Sequence, residues 1–351
     1  MNYLSSFKKL KEWSCSKHAE LPWRKKRSLY FTLVSEIMLQ QTTVSTVKNH
    51  FELFLEKFPD VQSLAFASEE QMLRAWKGLG YYRRAKNLRK AALDIVEFYQ
   101  GEIPLEFESL KGIKGIGDYT ANALLAIGDN QVALALDANL ERVLARVYGV
   151  KEFKGPPLHK KLHELFFKGE ILSEMNKVGP RFLTEALMDL GREFCQARKA
   201  NCESCPLKNC CKAFLEGNPL EYPRVNETKK KEKFFELTLL RLVVIKDELV
   251  LAYKKEEGQW LSGQWELPTF IIETEDEKLK QYPHLKNKIN FKKLKCFSTS
   301  ITKYKIKNYI LECDEKFLNK LKNDEREYAY HAPALGDLST ASTKALAHLN
   351  K

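Results

Sequence analysis

Apolar residues recur three and four positions apart along most of the first two thirds of the chain. Residues 31–41, 44–57, 69–76, 84–99, 119–127 and 140–147 all follow this spacing, which predicts helix after helix from Leu29 to about Phe214. Pro22, Pro59, Pro104, Pro156, Pro157 and Pro180 fall between or at the edges of such segments, where a missing N–H does least harm. The pattern lapses at residues 217–233, a polar stretch with Asn218-Pro219, Tyr222-Pro223 and a charged run from Thr228 to Lys233 that reads as a linker. Beyond it, residues 237–245 and 249–253 flank a Lys246-Asp247-Glu248 turn and predict a hairpin, with further strands near 297–301 and 305–312. The pattern predicts a multidomain protein, all-α first and α+β after the linker.

Composition narrows the class. The 351 residues exceed one domain of about 150, and 44% hydrophobic residues exclude a disordered or collagen-like chain. No apolar run approaches the roughly 18 residues of a membrane span. Met1 to Lys9 has no apolar stretch of the secretory kind, so a cytoplasmic protein is expected. Lys and Arg number 58 against 46 Asp and Glu, a net charge of +12, and the regions before and after the linker are both basic. Such an excess favours a polyanionic partner through counterion release. Its densest block is Arg74, Lys77, Arg83, Arg84, Lys86, Arg89 and Lys90, interleaved with Trp76, Tyr81 and Tyr82. A charge run is usually a solvated helix face; rings among the cations tilt this one towards nucleic acid.

Cys195, Cys202, Cys205, Cys210 and Cys211 crowd into one run, apart from Cys15, Cys296 and Cys313. A disulfide scaffold is not expected in a chain with this much core. The C-x6-C-x2-C-x5-C spacing offers four thiolates for zinc or an iron–sulfur cluster, with Cys210 leaving the fourth ligand open by one residue. Leu110 to Ala121 joins two apolar segments through Gly115 and Gly117, which permit positive φ and a close approach of backbone to phosphate. Alone, that is either a plain helix–helix turn or a hairpin that grips the DNA backbone.

Six stretches together are more specific: Leu21-Pro22-Trp23-Arg24, Ser35 to Thr42, Gly78-Leu79-Gly80-Tyr81-Tyr82, Leu136 to Arg146, the glycine hairpin and the cysteine loop. In this order, over residues 1–217, they resemble the MutY adenine DNA glycosylases of the endonuclease III-like helix-hairpin-helix superfamily. The resemblance implies a six-helix domain at 26–131, an iron–sulfur lobe from 1–25 plus 132–217, a linker at 218–234, and a Nudix-like domain at 235–351 that recognises 8-oxoguanine. It implies one [4Fe–4S] cluster on Cys195, Cys202, Cys205 and Cys211, a monomer, and duplex DNA with A:8-oxoguanine or A:G mismatches as the partner.

It also assigns roles. Glu36 would protonate the adenine at N7 and help position water, and Asp137 would stabilise the sugar cation or add to it covalently. Tyr119 stands where strand-cleaving relatives carry a lysine, so a monofunctional glycosylase is implied. Trp23, Arg24, Leu39, Asn139 and Glu185, with Tyr119, would line the base pocket. Gln41 and Tyr81 would wedge the helix, and Gly115 and Gly117 would hold its backbone. By themselves, Asp137 reads as a helix N-cap and Glu36 as a surface or ion-paired glutamate. The apolar neighbours Phe31, Val34, Ile37 and Met38 predict that burial raises the Glu36 pKa. The alternatives are an endonuclease III-like pyrimidine-lesion glycosylase and lyase, and a non-catalytic DNA-binding protein.

The last domain departs from its relatives. Gly263-Gln264-Trp265-Glu266-Leu267-Pro268 resembles the start of a Nudix-type fold, but Glu273, Glu275, Asp276 and Glu277 lack the arginine and spacing of a magnesium-binding Nudix set. Pyrophosphate hydrolysis is therefore not expected. The family's Phe-Ser-His recognition loop falls on Ile301-Thr302-Lys303, and none of the three residues is kept. Thr302 and Lys303 are the candidates for facing 8-oxoguanine, with a weaker or differently built preference for it.

Overall fold

The computed structural model describes residues 3–169, 171–225, 234–286, 289–291, 293–321, 326–333 and 336–349. The charged run expected as linker, Thr228 to Lys233, lies outside the described residues. The chain divides into two compact units: Met1–Ala67 with Arg83–Thr228, and Ser68–Tyr82 with Lys229–Lys351. Residues 68–82, which the sequence places inside the 26–131 domain, thus pack with the carboxy-terminal residues. Among the described residues, no helix is long and apolar enough to cross a membrane.

The first unit is helical. Its Leu29–Leu39 helix starts at Ser28, whose hydroxyl accepts the Phe31 N–H at 3.0 Å. Leu33, Val34, Ile37 and Met38 are fully buried, so this helix is hidden nearly all round. Val44–Lys57, Arg83–Tyr99 and Asp118–Ala123 pack against it. Asp118–Ala123 runs into a π-helical turn at Leu124–Gly128, a form that recurs at functional sites. A second core joins Phe7 and Leu10 of the Tyr3–His18 helix to Leu140, Leu144, Leu183, Leu190 and Leu207. The amino terminus therefore returns to the later helices, Ala138–Tyr148 and Pro180–Glu193.

The carboxy-terminal residues of the second unit form β1 (Phe235–Val243), β2 (Ile245–Lys246), β3 (Leu249–Lys254), β4 (Trp265–Glu266), β5 (Thr269–Thr274), β6 (Cys296–Ile301), β7 (Tyr304–Glu312) and β8 (Ala329–His331). One sheet has the order β5-β1-β7-β6, with β1 parallel to β7 and the other pairs antiparallel. The other has the order β2-β3-β4, with β8 on β3. The expected hairpin is thus shorter than the pattern implied: β2 and β3 turn through Asp247 and Glu248 at φ 48° and 64°, while β1 lies in the other sheet. Both edges of β1 are taken, and Leu239 to Val243 are buried whichever face they point to, as in a central strand. Inside this unit Arg241 pairs with Glu266, which also accepts from Ser339 Oγ at 2.9 Å and Ser342 Oγ at 2.8 Å. Burial would raise the Glu266 carboxyl, but Arg241 and Lys255 outweigh it and hold the carboxyl below its ordinary range. The glutamate of the Gly-Gln-Trp-Glu motif is thus consumed by the core.

Candidate active site

A cleft of about 750 Å³ opens in the first unit, and Glu36, Asp137, Tyr119, Trp23, Arg24, Leu39, Asn139 and Glu185 all line it. The structure therefore brings together every residue expected for catalysis or the base pocket. Gln41, expected to face DNA, lines it as well.

Glu36 is 6% exposed, and its Oε2 accepts the Tyr119 hydroxyl proton at 2.5 Å. Burial pushes its carboxyl up to about 7 against the pull of that hydrogen bond, with Asp137 and Glu185 adding to the rise and Arg24 opposing it. A carboxyl in that range holds a proton near neutrality and can give it up, as a general acid must. Burial, then Glu36 and Asp137, keep the Tyr119 phenol well above its ordinary value, so it stays a donor. Tyr119 follows the glycine hairpin in the Asp118–Ala123 helix, 83 residues from Glu36 in sequence. Asp137 is the N-cap that the sequence allowed, and it also reaches the cleft. Its Oδ1 accepts the Leu140 N–H at 2.6 Å as the N-cap of Ala138–Tyr148, and the residue lines the cleft. Burial raises its carboxyl, while the Leu140 and Asn139 amides and Arg142 draw it back.

An ionic network absent from the sequence reading holds the far wall. Arg24 Nη1 donates to Asp189 at 2.8 Å, and Arg24 Nε lies 3.4 Å from Glu185. Arg27 grips Glu185 with two bonds, at 2.8 and 3.0 Å, and Ser14 Oγ donates to Asp189 at 2.6 Å. The only available signal for Asp189 was its position one helical turn beyond Glu185. Asn139 is fixed by a bond from its Nδ2 to the Met188 carbonyl at 3.1 Å and packs on Gly191, where a Cβ would lie 2.4 Å from Asn139 Oδ1.

Three of the residues expected to meet DNA share a backbone trait. Gln41, Tyr81 and Thr302 have φ of 55°, 46° and 48°, a left-handed conformation that side chains other than glycine rarely adopt. Tyr81 is 59% exposed. In the hairpin only Gly115 uses the freedom expected of both glycines: its φ is 90°, and a Cβ would lie 2.7 Å from the Asn87 carbonyl oxygen. Gly117 has φ −97° and open space. Lys303 lies over the Phe235 ring at 4.5 Å and pairs with Asp276 at 3.5 Å, so its ammonium is already engaged.

The basic, aromatic block is only partly a surface. Trp76 and Tyr82 are buried, and Arg89 Nε donates to the Ala67 carbonyl at 2.7 Å. Arg84 is buried too. Its Nη1 donates to the carbonyls of Ile37 at 2.9 Å and Met38 at 2.8 Å and to that of Gln40, and Nη2 donates to Thr42 Oγ1 at 2.9 Å. It satisfies the carbonyls left over at the end of Leu29–Leu39 and fixes the chain around Gln41. Arg84→Ala should lower unfolding stability by about 2–4 kcal/mol, because several charge-assisted bonds go at once. Denaturant melts check this, and a loss within 0.5 kcal/mol, roughly the spread of surface substitutions, would contradict the role.

Cys195, Cys202, Cys205 and Cys211 line one cavity. Cys210 does not: its thiol donates to the Leu207 carbonyl at 3.4 Å, within the core and beside Ser6. Arg146 Nη1 donates to Cys195 Sγ at 3.2 Å. Burial, and then the neighbouring sulfurs, raise Cys205 to about 12 and Cys211 to about 11. Among the described residues, no three His, Cys, Asp or Glu side chains converge on one ion position. Four cysteine sulfurs around one cavity are a donor set that suits zinc or an iron–sulfur cluster.

A glycine hairpin here delivers a phenol to a buried carboxyl, in one cleft with a second carboxyl. Residues 34–168 match the family model described as HhH-GPD superfamily base excision DNA repair protein. A solved thermostable thymine-DNA glycosylase shares the fold, with a TM-score of 0.52 and 25% identity over 61% of this chain and 95% of that one. The adenine DNA glycosylase of Buchnera aphidicola subsp. Schizaphis graminum is 34% identical over 279 residues, 78% of this chain and 76% of that protein. That of Arabidopsis thaliana is 32% identical over 305 residues, 76% of this chain and 47% of its own length. The chain belongs to the adenine DNA glycosylase family of base excision repair.

Proposed function

We propose that this chain hydrolyses the N-glycosidic bond of adenine mispaired with 8-oxoguanine or guanine in duplex DNA, without cutting the strand. The observation that carries this reading is the Glu36–Tyr119 pair beside Asp137 in one cleft. Adenine leaves the stack to reach them. Glu36 gives its proton to N7, and the C1′–N9 bond breaks with its electrons on the base. The Asp137 carboxylate faces the oxocarbenium-like sugar. Water adds to C1′ and returns a proton to Glu36, while Tyr119 keeps that carboxyl oriented. No amine stands at Tyr119 to form a Schiff base, which supports a monofunctional enzyme.

Cys195, Cys202, Cys205 and Cys211 would hold a [4Fe–4S] cluster, whose contribution when bound is to cross-link the loop. Arg146 braces that loop through Cys195 Sγ and the Gln196 carbonyl. The sheets of the second unit support a Nudix-like reader of the opposite base.

An assay on an A:8-oxoguanine duplex tests the function. Adenine release with strand breaks only after alkali is expected. Breaks without alkali, together with borohydride trapping, would favour the pyrimidine-lesion lyase instead. With Lys303 tied to Asp276, release opposite 8-oxoguanine should exceed release opposite guanine by no more than about tenfold, the worth of one hydrogen bond. Equal single-turnover rates and affinities would refute any preference.

A further inference from the structure

Residues Ser68–Tyr82 pack with the second unit, although Ala67 and Arg83 on either side pack with the first. Carboxy-terminal side chains hold the segment. Lys77 Nζ donates to Thr343 Oγ1 at 3.1 Å. The Tyr82 hydroxyl faces the Gln264 and Thr340 side chains and the Gly78 backbone. Tyr82 is only 8% exposed, and the cavity it shares with Lys77, Gln264 and Leu338 is about 10 Å³, room for at most one water.

Inside the segment, the turn is tight and oddly shaped. Trp76 is fully buried and donates its Nε1–H to the Gly80 carbonyl at 3.0 Å. Gly78, Gly80 and Tyr81 have φ of 98°, 67° and 46°. A tyrosine in that region persists only where its surroundings over-determine the backbone. Here the next residue, Tyr82, is the buried one, and Tyr81 is 59% exposed.

We propose that Gln264 and Thr340, aided by Thr343, are positioning residues for Tyr81: by clamping Tyr82 and Lys77 they hold the turn that offers the Tyr81 ring to the duplex. The carboxy-terminal residues then take part in extruding adenine as well as in reading the opposite base. The inference rests on Tyr81 acting as a wedge.

Stopped-flow fluorescence of 2-aminopurine placed at the adenine position, with the full chain, reads extrusion directly. Tyr81→Ala should lose most of that signal. Tyr82→Phe, and Gln264→Leu combined with Thr340→Val, should each slow extrusion about tenfold, as for one polar contact removed, with duplex affinity unchanged. Joining Tyr82→Phe to the pair should add nothing further, because all three changes break one clamp. Thr340→Ser, which keeps the hydroxyl, should extrude like wild type. If Tyr81→Ala extrudes normally, the wedge reading falls and this inference with it. If Tyr81→Ala fails while the clamp variants extrude normally, the wedge stands and the positioning role is overturned. Should the paired variant not fold, Tyr82→Phe, a single-atom deletion, decides alone.

Discussion

Glu36→Gln should cut the single-turnover rate of adenine release by roughly 10²–10⁴-fold, the range of a lost general acid, and still bind a mismatch duplex. The amide keeps the shape and can still meet the Tyr119 hydroxyl, but it has no proton to pass to N7. In the unaltered chain, activity requires the protonated carboxyl, so the rate should decline as pH rises through about 7. That decline should be missing from the residual rate of the variant. Stability should fall with rising pH as well. The folded Glu36 pKa of about 7 lies above the ordinary value of 4.5, so between those limits the folded chain binds more protons than the unfolded one. Stability therefore falls as pH rises across that window, and above pH 7 the wild type bears the whole penalty, about 3 kcal/mol at 1.4 kcal/mol per unit. Glutamine escapes it, so the variant should melt higher at pH 8 and show little gain at pH 4. Full activity in Glu36→Gln, or an identical pH profile, would remove Glu36 from the mechanism.

The parts of this site that were legible in the sequence are those set by local rules. Asp137 followed by a helical repeat predicts an N-cap, and an N-cap it is. Apolar neighbours around Glu36 predict a raised pKa, and burial is its largest cause. Contacts between distant residues were not legible. The Tyr119 hydroxyl on Glu36 and the Arg27 grip on Glu185 join residues 83 and 158 apart. Arg84 shows the deeper limit. In the pattern it is one more cation in a basic block, yet it is buried because the end of Leu29–Leu39 leaves carbonyls that need a donor. Periodicity records which residues avoid water; it does not record which backbone groups lack partners. The same limit explains β1, whose apolar run suits a hairpin and a central strand equally. Only pairing on both edges decides between them.

Cys211→Ser should give a protein depleted of iron that melts about 10 °C lower, whereas Cys210→Ser should keep its iron and lose only a few degrees. The two cysteines adjoin in sequence, and spacing alone could not separate them. The structure turns them to different sides: Cys211 lines the cavity with Cys195, Cys202 and Cys205, while Cys210 faces the core beside Leu207. Serine at 211 is a poor iron ligand, and losing one of four anchors frees a loop that has little core of its own. The drop of about 10 °C corresponds to several kcal/mol for a unit this size, in the range of a lost structural cross-link. Serine at 210 keeps a hydroxyl that can donate to the Leu207 carbonyl, so the change costs only about 1 kcal/mol. Iron content and visible absorbance read the first effect without any enzyme assay, and calorimetry reads both. Iron lost from Cys210→Ser but retained by Cys211→Ser would reverse the assignment. Iron retained by both would mean that the fourth thiolate is not the anchor of this loop.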